Sequence, residues 1–244
     1  MSKSGEILLK RVTLEVAIIV VGILLAFAID AWWEDRQERD EEEKILLGLK
    51  NEFSRYRDEL EDGVKVNSNT RLMVAELMAA ARAGSWNSES IPVDLALSTL
   101  GDSPTHDFGG GILDAVISGG RLEIISDYEL RTMLASWSQV FNEIRDDQER
   151  NRSLVQNHVT RYMLRWHVPQ SRGLELCCSW SKWPQSTRSI DVDSAALTRL
   201  LTDREFEVLL EFKHIEIAHM ALEYDIGLKA IDDILDAIDA SLYN

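Results

Sequence analysis

Apolar residues recur at three- and four-residue spacing along most of this chain, and nowhere do apolar and polar residues alternate for long. That period belongs to helices that bury one stripe. Ile45, Leu46, Leu49, Phe53, Tyr56 and Leu60 mark the first such stripe, within a helix-prone, highly charged stretch from Ala31 to about Leu60. Gly63 and Asn67-Ser68-Asn69 are candidate breaks or kinks. A second helical pattern runs from Leu72 to Ala83 and ends at Gly84, which suits the left-handed C′ position. Residues 84–111 read as loop with a short helical piece near Val93–Leu100. Gly109-Gly110-Gly111 then opens a short helix, Ile112 to Ser118, closed by Gly119-Gly120.

Ser126-Asp127-Tyr128-Glu129 predicts a capping box with Ser126 at the N-cap and Glu129 reaching back. The helix it starts runs to about Trp166. It buries Leu130, Met133, Leu134, Trp137, Phe141 and Ile144, crosses a fully polar stretch from Arg145 to Arg152, and resumes with Leu154, His158, Tyr162 and Trp166. Val168 to Val192 is a second loop region and Ser194 to Leu201 a further short helix. Thr202-Asp203-Arg204-Glu205 is a second capping box, from which a helix runs to Leu242. The pattern predicts an all-α fold, three long helices packed as an antiparallel bundle with short helices in the connections.

The run Val16–Ile29, VAIIVVGILLAFAI, departs from that pattern because it is apolar all round. A bilayer core about 30 Å thick needs roughly 20 residues of helix, and extending the run from Val12 to Trp33 reaches that length by taking in Thr13, Glu15 and Asp30. Lys10 and Arg11 on one side and Trp32 and Trp33 on the other suit the two interfaces. The expected organisation is a basic tail over residues 1–11, a transmembrane helix over 12–33, and an acidic all-helical soluble domain over 34–244. No Pro or Gly separates the run from the charged helix beyond it, so the bundle is expected to be continuous with the span. A short basic tail favours an N-terminus inside and an extracytoplasmic domain, as in a single-pass inner-membrane protein. The same residues also suit a cleaved signal peptide with Ala26-Phe27-Ala28 at the cleavage site. The unbroken helical pattern beyond that site favours a retained anchor.

On a helical wheel Glu15, Ile19, Gly22, Ala26, Ile29 and Trp33 share one face, with Asp30 at its edge. Gly22 and Ala26 form a small-xxx-small pair, the spacing that lets helix backbones approach closely. That face is the expected packing surface, for another copy of the chain or for another membrane protein, alongside membrane lipid. If copies assemble, Glu15 and Asp30 would form carboxylate rings, one way in which cation pathways are built. A homo-oligomeric cation channel is thus the alternative to an interaction, scaffold or sensor protein.

A formal net charge of −16 repels nucleic acid and anionic lipid headgroups. Hydrophobic residues at 45% suffice for a real core. The adjacent Cys177-Cys178 pair is neither a disulfide framework nor a zinc pattern, both of which need spaced pairs. Glu211/His214 and Glu216/His219 repeat a Glu-x-x-His unit used by di-iron bundles, but on one helix they diverge by about 140°, so no metal site and no cofactor is expected. His158 reads as a core histidine beside Leu154 and Tyr162. The glycines at 109–111 precede a helix, yet no Lys-Ser/Thr follows and no strand precedes, as phosphate loops require. No nucleophile–base constellation appears. A membrane-tethered enzyme would need a polar pocket built from the loops at 84–111 and 168–192.

LEVAIIVVGILLAFAIDAWWE (Leu14–Glu34) resembles the opening of an uncharacterised bacterial family of single-span membrane proteins. Glu15, Gly22, Asp30, Trp33 and Glu34 match the family's acid, mid-span glycine and polar-Trp-Glu close. SGGRLEIISDYELRTMLASW (Ser118–Trp137) is similar to the family's small-Gly turn leading into a helix. The resemblance implies a retained span and carries no activity.

Overall fold

A computed structural model describes residues 3–89, 91–103, 105, 106, 108, 111–166 and 194–243, with side chains from Ile19 onward. Among these residues every regular element is helical. Helix α1 (Lys3–Ala83) is unbroken, and α2 (Val93–Thr99) and α3 (Ile112–Ser118) follow in the connection. A 3-10 turn (Arg121–Ile124) leads to α4 (Tyr128–Leu154), which passes through a π turn (Val155–Val159) into α5 (Thr160–Arg165). Beyond residues 167–193, α6 (Ser194–Leu201) and α7 (Arg204–Tyr243) close the chain.

Neither Gly63 nor Asn67-Ser68-Asn69 breaks α1. Gly63 is buried at a close approach, where a Cβ would lie 2.4 Å from His106 Nε2, and Asn67 is buried with its amide donating to the Ile217 carbonyl, 3.0 Å away. These residues face the interior instead of marking a turn. The helix ends at Gly84, whose φ of +66° is the left-handed conformation expected there. The Gly84 amide donates to the Ala81 carbonyl and the Ser85 amide to that of Ala80, the paired bonds of a Schellman cap.

Both capping boxes shift by one residue. Asp127, not Ser126, caps α4, accepting from the amides of Glu129 (2.8 Å) and Leu130 (3.0 Å). Ser126 instead donates its amide and hydroxyl to Glu42 of α1. At α7 it is Asp203 that accepts, from the Glu205 amide. An aspartate one position further on competes for the same amides and carries a full charge at the positive end of the helix.

Helix α7 is the spine of the bundle, packed along both α1 and α4. Lys50–Asp239, Arg57–Asp232 and Asn67–Ile217 fix α1 antiparallel to α7, and Arg150–Glu216 and Tyr162–Asp203 do the same for α4 and α5. It follows that α1 and α4 run parallel, which the simple antiparallel reading missed. The long connection through α2 and α3 permits it by carrying the chain back down the bundle. Aromatic rings join the two parallel helices: Phe53 meets Trp137 edge-on with centroids 5.2 Å apart, and Tyr56 stacks on Trp137 at 6.1 Å.

The expected single-pass placement in the inner membrane does not stand. Among the described residues no helix is long and apolar enough to cross a membrane. The cation pathway through Glu15 and Asp30, and the interface anchors at Lys10, Arg11, Trp32 and Trp33, presuppose a crossing and are not carried further.

Candidate functional site

Two features stand out from the packed bundle. The first is the part of α1 that leaves it. Every residue from Ile19 to Asp40 is exposed, about 33 Å of helix beyond the bundle. Its large apolar side chains, from Ile19 through Trp33, are between 47% and 66% exposed. Ile19, Gly22, Ala26, Ile29 and Trp33 are exposed along this helix, with Asp30 exposed nearby, and no other described residue covers them. A Cβ at Gly22 would meet nothing within 4 Å, so the fold of one chain does not require glycine there. Among the described residues, the Trp32 and Trp33 rings meet no aromatic ring but each other's, 6.4 Å apart. Glu15, Lys10 and Arg11 sit on the helical backbone, and their side chains lie outside the described residues.

The second feature is a buried polar layer across the waist of the bundle. One apolar cluster fills the end near Ile45, Trp137 and Ile238, and another fills the end near Leu77, Tyr162 and Phe206. Between them lie Asn67 and Thr70 of α1, Asp147, Gln148 and Asn151 of α4, and Lys213 of α7, all buried. Lys213, 1% exposed, donates to the Asp102 carbonyl (2.8 Å) and to Asn151 Oδ1 (2.9 Å). Gln148 Oε1 accepts from the His106 amide at 3.2 Å. The connection between α2 and α3 is thereby pinned to α4 and α7 at two points one helical turn apart.

Burial sets the electrostatics of this waist. It lowers the Lys213 ammonium to about 8, against the pull of Asp102 and Glu216, and raises the Asp102 carboxyl to about 7, against the pull of Lys213. Burial also lowers His106, opposed by Asp62, and raises the Tyr224 hydroxyl to about 12. Perturbed groups of this kind mark functional sites only where a substrate can reach them. The enclosed Lys213 amine, committed to two acceptors, reads as a structural charge that fixes the register of three segments.

Sequence reasoning passed over this layer by treating Arg145–Arg152 as a polar crossing. A signal was present. Ile144, Gln148, Asn151 and Val155 keep the three-and-four spacing of a buried stripe, with polar residues in its middle. His158, expected in the core, is exposed. Val155 and Val159, at the two ends of the π turn, face inward with Tyr162, and His158 does not.

A further buried polar group lies at the Ile45–Trp137–Ile238 end of the bundle. Glu52 of α1 accepts from the Tyr56 hydroxyl and, through Oε2, from the Leu113 amide at 3.0 Å, capping α3 from another helix. Burial and that bond push the Tyr56 hydroxyl well above its usual range. Gly111 makes the approach possible, since a Cβ there would overlap the Glu52 carboxylate. Glu52→Ala leaves two buried donors unsatisfied, each costing about 1–3 kcal/mol. Urea unfolding is expected to show that loss, and a smaller one for Glu52→Gln, whose amide oxygen still accepts.

A cleft of about 470 Å³ between α1 and α3 is lined by Asp40, Glu41, Lys44 and Arg121 among others, and Arg121 is paired with Glu41. No nucleophile–base pair lines it. Glu216 faces Arg150 at 3.6 Å, while Glu211 and His219 are exposed on α7. Cys177, Cys178, Trp180 and Trp183 lie outside the described residues.

Fold and site together define an all-helical bundle with a polar waist and a projecting apolar helix. No protein-family model, curated protein or solved structure matches the chain.

Proposed function

We propose that this chain is a helical interaction or scaffold protein that self-associates through the projecting part of α1. The observation that carries this reading is the uncovered apolar run from Ile19 to Trp33. A helix that is hydrophobic all round belongs in a buried environment, and contiguous apolar surface of this size marks a contact site. Copies packed around the helix would cover every side of it at once. Gly22 and Ala26 support the geometry, because they allow backbones to come close and Gly22 has no steric role within one chain. The acidic bundle would keep such an assembly from growing, since its like charges repel at the periphery.

Sedimentation velocity on the full chain is expected to show one discrete assembly larger than a monomer. Gly22→Ile/Ala26→Ile, which fills the close-approach face while keeping the helix apolar, is expected to weaken that assembly by about tenfold or more, the equivalent of about 1.4 kcal/mol. A strictly monomeric wild type overturns the proposal. So does a double variant that assembles as the wild type does.

A further inference from the structure

Helix α7 carries two apolar stripes, of which the fold buries only one. The buried stripe runs through Phe206, Leu210, Lys213, Ile217, Met220 and Tyr224. The other consists of Phe212, Ile215, Leu222 and Ile226, each between 45% and 57% exposed, with exposed His219 at the middle position. Positions 212, 215, 219, 222 and 226 repeat at three and four, the a and d positions of two heptads, over about 21 Å of helix. This is the seam of a coiled coil, and among the described residues no second strand covers it.

The flanks decide what fits it. The e and g positions beside the seam hold Glu211, Glu216, Ala218, Glu223 and Asp225. Burial first, then the neighbouring Asp147 and Glu143, raise the Glu223 carboxyl, with Arg150 and His219 opposing them; Arg150 pairs with Glu216, so the acidic character of the flanks rests chiefly on Glu211, Glu223 and Asp225. A second copy would match much of the apolar seam: laid antiparallel so that a meets d, Phe212 meets Leu222 and Ile215 meets His219. The same register sets Glu211 against Asp225 and Glu216 against its own copy. Parallel pairing sets Glu211 against Glu216. Like charges at these positions reject a partner.

We propose that the exposed face of α7 docks an amphipathic helix of a partner protein whose apolar stripe is flanked by lysine or arginine. Leu222 and Ile215 anchor its centre, and the acidic flanks select the partner and set its orientation. This site is separate from the self-association of α1, and either can fail without the other.

The test uses two synthetic helical peptides with leucine at a and d, one with lysine and one with glutamate at e and g, titrated against the full chain by fluorescence anisotropy. The lysine peptide is expected to bind and the glutamate peptide not to. Ile215→Ser/Leu222→Ser, which removes the anchors without changing charge, is expected to weaken the lysine peptide by about tenfold or more while leaving α1-driven assembly unchanged in sedimentation. Circular dichroism on the double variant reports the fold, which solvent-facing substitutions should preserve. Failure of the lysine peptide to bind overturns the proposal. Equal binding by the double variant does so too, because attraction to an acidic surface then explains it. If the double variant instead abolishes self-association, the face belongs to a second copy and the proposal falls.

Discussion

Lys213→Ala is expected to destabilise the bundle by about 3–5 kcal/mol, the cost of breaking a buried charged network by removing one partner. Asn151 Oδ1 and the Asp102 carbonyl lose their donor, the Asp102 carboxyl loses the cation that favours its charge, and a cavity opens between the two apolar clusters. Lys213→Met separates these effects. It keeps most of the volume and removes the ammonium that burial penalises, so it is expected to cost about 2 kcal/mol or less. The pair also has a pH signature. Because burial lowers Lys213 from 10.5 to about 8, the unfolded chain binds more protons than the folded one between those values. Wild-type stability therefore rises with pH across that window, through this group, and Lys213→Met lacks the rise. Urea unfolding of both proteins at several pH values should show the wild type gaining on the variant from pH 8 towards 10.5. A constant difference would place the ammonium in a better solvated site than the structure gives it.

Gly227→Val carries the second large effect. This residue is where α7 comes closest to its neighbours, and a Cβ would stand 2.8 Å from Ile144 Cδ1 and 2.9 Å from Leu60 Cδ2. Both are ends of flexible side chains, and alanine is favoured over glycine within a helix by roughly 0.5–1 kcal/mol. Gly227→Ala is thus expected to be close to neutral. Valine cannot be accommodated by rotamer changes alone; it forces α7 away from α1 and α4 and is expected to cost about 3 kcal/mol. Thermal unfolding measures the loss. Adding Ile144→Val, which deletes the Cδ1 in the way, should recover part of it, so the double variant is more stable than the sum of the single effects. Additive losses would show that the three helices do not meet at Gly227 as described.

Most helices were legible, down to Val93, Ile112 and Ser194 near their starts and Gly84 at the end of α1, because period, caps and left-handed glycines are local properties. The errors have particular physical causes. Ser126 lost its N-cap role to Asp127 because Glu42, far away in the chain, takes its hydroxyl. His158 points outward because Val159, its neighbour within a π turn, takes the inward place between Val155 and Tyr162. Asn67, within Asn67-Ser68-Asn69, resembled a break because a polar residue on an apolar stripe signals a turn when no partner is in view. The polar waist was only partly legible: Gln148 and Asn151 keep the spacing of a buried stripe, but the members lie on α1, α4, α7 and a loop, and only their meeting makes them a layer.

The apolar run near the N-terminus had the composition of a membrane span, but among the described residues no helix meets the length and apolarity of one. What is left of that reading is an exposed helix seeking contacts. The sequence by itself determined the helices, because periodicity and caps act over a few residues and need no partner. It could not rank the two stripes of α7, since Phe212, Ile215, Leu222 and Ile226 are as apolar as those buried beside them. Only the tertiary structure decided which stripe faces α1 and α4, because that depends on where Gly227 allows the backbones to approach and where Lys213 finds its acceptors.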